Sequence, residues 1–327
     1  MNSWCRFLTG FFVAVFLSLF LWCFLWLNAI GVPTSSSKWM YDAYAIKANR
    51  ASILNNRPAI VIVGGSNTLF GINSELLESL TGYPVINTGV NAGLLLSYTL
   101  YSADRFIKPN DIVVMMLEYP MYNYQGEVGE SLIDYTLARA PDYFYHANLA
   151  DKIRLVFMAP LKRLLVGTRF NPDSNQSSGI YNAVNINAYG DQINTGNAYF
   201  TEAILSELNS NSPARSYGRL RNPDGQGWKK IEAFVSDRQA TNPCIFLMPP
   251  AFLENAYYRQ NSVERYFYDN LSNDARRHNL TFLGQPFDFM YERRHFFNTD
   301  YHLRDQGRDL HTRSVAALLV PAIKTCN

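Results

Sequence analysis

The stretch Ile60-Val-Ile-Val-Gly-Gly-Ser-Asn-Thr-Leu-Phe70 decides the fold. Its first four residues are apolar and β-branched, and the run stops at two glycines that are followed by Ser66. This pattern predicts a buried parallel strand with a tight turn at its carboxyl end, where the glycines allow backbone angles that other residues resist. Open α/β sheets carry their chemistry at that edge, so Ser66 is the candidate nucleophile.

Outward from this strand, apolar runs alternate with helical patterns. Further strands are predicted at 84–87, 112–117, 244–248 and 280–283, and helices at 73–80, 94–106, 149–165, 228–238, 263–278 and 308–324. Such alternation indicates an α/β fold with βαβ units and a parallel sheet of about five strands. Residues 121–240 are rich in Tyr, Asn and Ser, and we interpret them as a large insertion over the sheet.

The chain begins with an uncharged apolar run from Phe7 to Val32. About 20 such residues suffice to cross a bilayer. A cleaved signal peptide is the alternative, but its apolar core is shorter and Ala29-Ile-Gly31 is a poor cleavage site. We therefore predict a membrane anchor over 1–32, a stalk and lead-in helix over 33–57, and an α/β domain over 58–327. Arg6 before the run predicts an extracytoplasmic location for this domain.

Composition narrows the function classes further. A net charge of +2 gives no indication of nucleic-acid binding. No Cys/His cluster has metal-ligand spacing, so neither a metal nor a cofactor is expected. Of the four cysteines, Cys5 and Cys23 lie in or beside the apolar run. Cys244 and Cys326 fall in the predicted exported part of the chain. The sequence is compatible there with a disulfide between them and with two free thiols.

A serine hydroxyl needs a base to become a nucleophile. His302 lies in a loop between the last predicted strand and the last helix, where it would reach the same edge of the sheet as Ser66. Asp300, two residues earlier, is predicted to orient the imidazole. His311 and Asp309 have the same spacing within a predicted helix and are interpreted as a surface feature. The alternative for Ser66 is a plain helix start with a capping side chain.

Three segments together resemble the SGNH (GDSL-type) hydrolases. Gly64-Gly-Ser-Asn67 is similar to the block that carries the nucleophile, and Asn87-Thr-Gly-Val-Asn-Ala-Gly93 is similar to the block whose backbone donates to the oxyanion. Asp300-Tyr-His302 is similar to the last block. The resemblance implies a three-layer, flavodoxin-like sheet, a catalytic set of Ser66, Asp300 and His302, and oxyanion donors from the backbone of Ser66, Ala92 and Gly93.

The polar residues beside these blocks are candidate substrate contacts, namely Asn67, Asn91, Glu118 and Tyr119. Glu118 stands where the third block of the family supplies an asparagine to the oxyanion hole. Alternatively, it has only a structural role, as a supporting or helix-capping carboxylate. The stretch Tyr181–Asp191 either stacks on a glycan or is an ordinary surface loop.

Further features resemble a membrane-anchored branch of the superfamily. A single residue separates Asp300 from His302, where two are usual, and this is similar to the alginate O-acetylation proteins. The anchor and the insertion resemble the branch that includes the D-alanyl transfer protein of teichoic acid synthesis. The branch implies acyl transfer onto envelope polymers.

The expected function is that of a single-pass serine acyltransferase or esterase at the bacterial inner membrane, with its catalytic domain in the periplasm. Its substrates would be O-acyl groups, acetyl above all, of a cell-envelope polysaccharide. A multi-span membrane O-acyltransferase is the partner that the branch suggests. Two alternatives stay open: an inactive SGNH-fold scaffold protein, and a general carboxylesterase or lipase.

Overall fold

The computed structural model describes residues 3–54, 57–166, 179–242 and 244–326. The chain divides into two compact units. The helical unit comprises Met1–Lys38 and Val128–Ser177, and the sheet unit comprises Trp39–Glu127 and Ser178–Asn327. The predicted insertion at 121–240 therefore belongs partly to each unit, because its first half clusters with the N-terminal helix.

The elements of the described residues are as follows. The α-helices are α1 Ser3–Ala29, α2 Ser35–Ile53, α3 Ser66–Gly71, α4 Ser74–Thr81, α5 Leu95–Asp104, α6 Tyr119–Tyr122, α7 Glu130–Ala138, α8 Pro141–His146, α9 Leu149–Phe157, α10 Leu161–Val166, α11 Glu202–Asn211, α12 Gln226–Ser236, α13 Ala256–Gln260, α14 Ser262–Arg277 and α15 Asp305–Lys324. The strands are β1 Ile60–Val63, β2 Val85–Asn87, β3 Ile112–Met115, β4 Ile245–Leu247, β5 Phe252–Leu253, β6 Thr281–Phe282 and β7 Met290–Tyr291. Short 3₁₀ turns occupy Ala92–Leu94, Ala183–Asn185, Asn197–Tyr199, Gly218–Leu220, Pro286–Phe289 and Arg293–His295.

A five-stranded parallel sheet forms the centre of the sheet unit, with strand order β2-β1-β3-β4-β6. Ile60 lies between Val85 on one side and Ile112 on the other, which fixes the register of the three neighbouring strands. Every residue of β1 and β3 is buried, as expected for strands with both faces covered. The α/β class and the parallel sheet predicted from sequence are confirmed.

One face of the sheet packs against helices from both ends of the unit. Ile62 and Val114 contribute to an apolar cluster with Leu77 of α4 and Leu319 of α15. A second parallel pair, β5 and β7, lies outside the main sheet. His311 of α15 is buried, with Nδ1 3.2 Å from the Tyr291 hydroxyl, so its interpretation as a surface feature was wrong.

Two predicted segments differ from the structure for identifiable reasons. The lead-in helix predicted within 33–57 is present as α2, but it fills most of the segment and leaves almost no separate stalk, because it begins at Ser35. Its start is fixed by reciprocal bonds in which Thr34 N–H donates to Ser37 Oγ and Ser37 N–H donates to Thr34 Oγ1. The single helix predicted at 149–165 is two helices, since Pro160 cannot continue a helix.

Helix α1 is long and apolar enough to cross a membrane, by length and composition. None of its most apolar window is buried within the protein. Cys5 and Cys23 are free and exposed on this helix. Cys244 and Cys326 form a disulfide that joins the residue before β4 to the segment after α15, with their Cα atoms 5.5 Å apart.

Candidate active site

Ser66 is the first residue of α3, directly after the turn that closes β1. A Cβ atom on Gly64 would lie 2.5 Å from the carbonyl oxygen of Met116, and one on Gly65 would lie 2.5 Å from Glu118 Oε1. The φ of Gly65 is −93°, outside the left-handed region. The turn therefore needs glycine at Gly65 for space.

Ser66 is more accessible than the rest of its helix. Ser66 is partly exposed, whereas the next five residues of α3 are buried. The N–H of Ser66 has no acceptor within its own helix, because it belongs to the first turn. Both groups predicted for catalysis at this residue, the hydroxyl and the amide, are thus presented at the carboxyl edge of the sheet.

Asn67 holds the turn in place and does not face the crevice. It is buried, its Oδ1 accepts from Gly65 N–H at 3.2 Å, and its Nδ2 donates to the Met116 carbonyl at 2.7 Å. Its side-chain groups are therefore committed to the backbone of β1 and β3. The structure gives Asn67 a scaffolding position where the sequence predicted a substrate contact.

Tyr119 likewise lies in the aromatic core. Its ring is fully buried and meets Tyr268 and Phe252 edge to face, at centroid distances of 4.9 and 5.2 Å. Its backbone N–H donates to the Tyr301 hydroxyl at 3.1 Å. A side chain in this environment supports β3 and its following turn, and it does not reach solvent as the predicted substrate contact requires.

The predicted oxyanion donors are only partly free. Asn91 Oδ1 accepts from Gly93 N–H at 2.7 Å, which caps the 3₁₀ turn and occupies that amide. Asn91 Nδ2 is 3.5 Å from Met40 Sδ. Ala92 is the first residue of the turn and, like Ser66, has no acceptor for its N–H within its own turn. Ser66 and Ala92 are therefore the two amides left to face an oxyanion, with Gly93 removed from the predicted set.

Glu118 occupies the place where the resemblance expects an asparagine. Its carboxylate is buried beside Ser66, with Oε2 accepting from Gly65 N–H at 3.2 Å and Oε1 accepting from Asn67 N–H at 3.1 Å. Burial raises the pKa of Glu118 to about 7, and the N–H donors only partly oppose this shift. The carboxyl group therefore bonds the backbone on both sides of Ser66 and changes charge near neutral pH.

His302 lies beside the face of α3 that carries Ser66. Its imidazole stacks on Phe70 with a centroid distance of 3.9 Å and an interplanar angle of 5°. Phe70 follows Ser66 by four residues, so their Cβ atoms are about 6 Å apart on one helix face. His302 is buried, and burial lowers its pKa to about 3. The ring is consequently neutral at physiological pH.

The group that orients His302 is Asn298, which the sequence analysis missed. Asn298 Oδ1 lies 2.8 Å from His302 Nδ1. Asn298 Nδ2 donates to Glu207 Oε2 at 3.2 Å and to the Tyr181 hydroxyl at 3.0 Å. A carboxylate only accepts, so Glu207 fixes which end of the amide faces the imidazole. His302 must then carry its proton on Nδ1 and the lone pair on Nε2, which is the tautomer a general base requires.

Asp300 does not bond to His302, contrary to the prediction. Its Oδ2 lies 3.6 Å from Arg215 Nε, and its carbonyl oxygen accepts from Leu253 N–H at 2.9 Å. Burial raises the pKa of Asp300 to about 6, and the charge of Arg215 opposes the shift. This carboxylate faces the β5 side of the loop and Arg215.

A hairpin explains why Asn298, and not Asp300, contacts His302. Phe296 bridges Leu303 in antiparallel fashion, and Phe297 N–H donates to the His302 carbonyl at 2.7 Å. Asn298 and His302 therefore face each other across the hairpin, while Asp300 lies at its tip. Asn298 lies only four residues before His302, but an amide is a less usual partner for a catalytic histidine than a carboxylate, so residue type alone does not mark it.

The loop Tyr181–Asp191 is fixed to the site and is not a freely exposed loop. Gln192 N–H donates to the Leu69 carbonyl at 2.9 Å, which attaches the end of the loop to α3. Lys47 Nζ donates to the Gly190 carbonyl at 2.6 Å. At the other end of the loop, the Tyr181 ring lies 6.1 Å from that of His302. The loop thus closes one side of the imidazole.

The network under this loop is buried and charged. Asp191 accepts from the N–H and the hydroxyl of Ser74, both at 2.7 Å, and from Asn87 Nδ2 at 2.9 Å. Burial lowers the pKa of Lys47 to about 7, an effect that Asp191 opposes. Asn87, from the second resembling block, therefore serves this network.

A cavity of about 280 Å³ adjoins the nucleophile turn. Its lining is mostly apolar and includes Ala92, Leu95, Leu96, Glu118, Met121 and Leu220. Ala92 and Glu118 are the two residues that a Cβ atom on Gly65 would touch, so the cavity opens beside Ser66. Its volume lies just below the range of about 300–1,000 Å³ that is usual for small-ligand pockets.

Within the residues that the structure describes, no group of three or more His, Cys, Asp or Glu side chains is placed to hold a metal ion. Comparison of the chain with protein-family models, with curated proteins and with solved structures gives no match. The functional argument therefore depends on the geometry of the chain's own residues.

Proposed function

We propose that the chain is a membrane-anchored serine acyltransferase or esterase of the SGNH type that acts on O-acyl groups of a cell-envelope polysaccharide. The observation that carries the proposal is the position of His302. Its Nδ1 lies 2.8 Å from Asn298 Oδ1, and its ring stacks on Phe70, which follows Ser66 by one helical turn. An Nδ1–H donor to the amide oxygen leaves the lone pair on Nε2. The strand order β2-β1-β3-β4-β6, with β6 as the fifth strand, corresponds to the flavodoxin-like order and supports the SGNH assignment.

The chemistry follows from these groups. Ser66 Oγ attacks the ester carbonyl carbon while its proton passes to His302 Nε2, and the carbonyl electrons move to the oxygen. The ester C–O bond then breaks, and the leaving alcohol takes the proton from Nε2. In the second half, a glycan hydroxyl or water gives its proton to Nε2 and attacks the acyl-serine, and Ser66 regains its proton. Asn298 keeps the ring in one orientation throughout.

The oxyanion environment predicts slow turnover. The N–H groups of Ser66 and Ala92 are available, whereas Gly93 N–H is taken by Asn91. Removal of one such donor typically costs about 100-fold to 1,000-fold in rate. Glu118 supports oxyanion formation only when it is protonated, because a carboxylate beside Ser66 repels a developing negative charge. Slow hydrolysis favours transfer, since water must lose to a sugar hydroxyl.

The neutral partner of His302 has a related consequence. An aspartate would stabilise the imidazolium that forms during the reaction, whereas Asn298 supplies orientation without charge. Together with the low pKa of His302, this makes the base weak but available at acid as well as neutral pH.

The proposal includes a location and a partner. The α1 helix would span the bacterial inner membrane once, with the sheet unit on the extracytoplasmic side. A multi-span membrane O-acyltransferase would supply the acyl group from the cytoplasm. The cavity beside Ser66 is suited to a short acyl chain, because its lining is mostly apolar and its volume is about 280 Å³.

The test is the acylation state of the surface polymer. We expect NMR of polysaccharide from cells that carry Ser66→Ala to lose the O-acyl signal changes that the wild-type chain produces. Ser97→Ala is the matched control, since Ser97 is a partly buried serine on α5 whose hydroxyl bonds Tyr124. An unchanged polymer in the Ser66→Ala cells, at normal protein levels, contradicts the proposal.

One observation favours a second function. The carboxylate of Glu118 lies where the resemblance expects a neutral donor, as it would in a protein that keeps the fold and binds an envelope polymer without catalysis. In that case, Ser66→Ala leaves polymer acylation unchanged while deletion of the whole chain alters polymer assembly.

A further inference from the structure

The helical unit exposes a regular series of large apolar side chains. Leu149, Ile153 and Phe157 recur every fourth residue of α9, so they lie along one helix face. Leu161 and Leu165, four residues apart, lie on one face of the separate helix α10. Their exposed fractions run from 40% at Leu165 to 74% at Leu149. We call these five residues the apolar face.

The other side of α9 is an ordinary protein interior. Asp151 and Leu155 are buried, and Asn148 Oδ1 accepts from Asp151 N–H at 2.9 Å to cap the helix. The helix is therefore fixed in its orientation, and the exposure of its apolar face does not reflect an unfolded or unpacked element. Large exposed apolar patches mark binding surfaces.

The end of α9 is attached to the C-terminal part of α1. Trp22 Nε1 donates to the Val156 carbonyl at 2.9 Å, and Trp26 Nε1 donates to the Leu155 carbonyl at 3.3 Å. These carbonyls belong to the last turn of α9 and lack partners within that helix. Trp22 precedes the end of α1 by seven residues, or about 10 Å along the axis. The end of α9 thus lies beside the apolar helix and not beyond it.

A second attachment holds α10 at the end of α1. Arg163 is buried, its Nη2 donates to the Val32 carbonyl at 2.8 Å, and its Nε pairs with Asp134. Gly31 N–H donates to the Leu137 carbonyl at 2.7 Å. The two helices that carry the apolar face are therefore attached beside the last turns of α1.

We propose that the apolar face lies in the headgroup and upper acyl region of the membrane that α1 spans, as a second, monotopic contact with lipid. The inference rests on the membrane span of the proposed function. Tryptophans are enriched at membrane–water interfaces, and the partly exposed Trp22 lies at the level where α9 is attached to α1. Amphipathic helices at that depth bury an apolar face in the lipid.

The charges beside the face agree with this occupant. Lys152 and Lys162 flank the apolar residues on α9 and α10, and Lys162 Nζ lies 3.0 Å from Glu130 Oε2 in an exposed ion pair. Lysines at this level attract anionic lipid headgroups.

The test uses the full chain in nanodiscs of phosphatidylethanolamine and phosphatidylglycerol. In a background with Cys5→Ala and Cys23→Ala, Ile153→Cys is labelled with a nitrobenzoxadiazole fluorophore. Phe16→Cys on α1 is the lipid-exposed control, and Val184→Cys of the sheet unit is the water-exposed control, with 76% exposure. Leu161→Cys is a second position on the face, in case one label disturbs folding. The readouts are quenching by iodide and by a lipid that carries a nitroxide near its ester group.

We expect the Ile153 and Leu161 labels to lose emission to the lipid nitroxide and to resist iodide, whereas the Val184 label loses emission to iodide. Labels on the face that iodide quenches as strongly as the Val184 label overturn the proposal. Labels that resist both quenchers overturn it as well, since protein then covers the face. If the lipid nitroxide quenches the Phe16 label but not the labels on the apolar face, α1 spans the membrane and only the proposed lipid contact of the face is wrong. The catalytic role of Ser66 is tested separately.

Discussion

Asn298 Oδ1 lies 2.8 Å from Nδ1 of His302, and this contact takes the place of the aspartate contact expected from sequence. The amide cannot be reversed without pointing its NH₂ at the imidazole and its oxygen at Glu207. The pair therefore fixes the tautomer of a buried, neutral histidine. This arrangement corresponds to the histidine–asparagine pair of Cys-His-Asn catalytic sites.

Asn298→Ala is expected to lower kcat by about 100-fold, because loss of the Nδ1 partner frees the ring and its tautomer. Asp300→Asn is the matched variant and is expected to leave kcat near that of the wild-type chain, since Asp300 faces Arg215. Turnover of an O-acetylated oligosaccharide by the purified full chain measures both. A larger loss of kcat in Asp300→Asn than in Asn298→Ala would indicate that Asp300 is the group that orients His302.

Glu118 predicts an unusual pH profile. His302 is neutral across pH 5 to 8, since its pKa is about 3, so its titration does not limit the rate there. Glu118 loses its proton through about pH 7, and its negative charge then opposes the oxyanion. We expect kcat/KM to fall as the pH rises through 7, and Glu118→Gln to remove that fall because glutamine stays neutral. Identical pH profiles for the two proteins would exclude this role.

The same residue predicts a stability change. Folding raises the pKa of Glu118 from 4.5 to about 7, so its favourable contribution is complete at low pH and is lost as the pH rises through 7. Glu118→Gln should therefore increase the free energy of unfolding at pH 8 by on the order of 3 kcal/mol relative to its effect at pH 4. Denaturant titration at the two pH values measures the difference, and no pH dependence of the difference would contradict the shifted pKa.

Gly65→Ala is expected to destabilise the nucleophile turn by about 1–3 kcal/mol, because the new Cβ would lie 2.5 Å from Glu118 Oε1 and 2.8 Å from Ala92 Cα. Gly71→Ala, at the other end of the same helix, is the control, since its Cβ would meet only His311 Cδ2 at 3.7 Å. Thermal unfolding of the full chain measures both. Equal melting temperatures for the two variants would show that the turn has more room than the structure gives it.

The Cys244–Cys326 disulfide closes a loop over a sequence separation of 82 residues and ties the end of the chain to the start of β4. Cys326→Ser should lower the free energy of unfolding by about 2–5 kcal/mol, chiefly because it releases the unfolded chain. Cys23→Ser on α1 is the control, because Cys23 is free. Chemical denaturation under non-reducing conditions gives the comparison. A variant as stable as the control would mean that the two thiols are not joined.

The sequence was sufficient for the sheet because its signal is local. Ile60–Val63 and Ile112–Met115 are uninterrupted apolar runs bounded by turn residues, and such runs predict buried strands without knowledge of their neighbours. The division of residues 121–240 between two units was not predictable in this way, since it depends on contacts of α9 and α10 with the distant helix α1.

The site shows the same limit at the level of single residues. Ser66 and His302 were found because each stands at an element boundary with a recognisable residue type. Asn298 was missed because its role comes from a hairpin in which it faces His302, with Glu207 fixing its amide. The N–H of Gly93 was assigned to the oxyanion from the resemblance, and only the three-dimensional arrangement reveals that Asn91 already uses it.

The most direct test is covalent labelling of the purified full chain with a fluorophosphonate probe, followed by mass spectrometry of the modified peptide. The account predicts a single adduct on Ser66 that disappears in Ser66→Ala and is strongly slowed in His302→Ala, while Asp300→Asn labels at nearly the wild-type rate. Absence of any adduct on Ser66 in the folded wild-type chain, or labelling that is indifferent to His302, would contradict the claim that these two side chains share a proton.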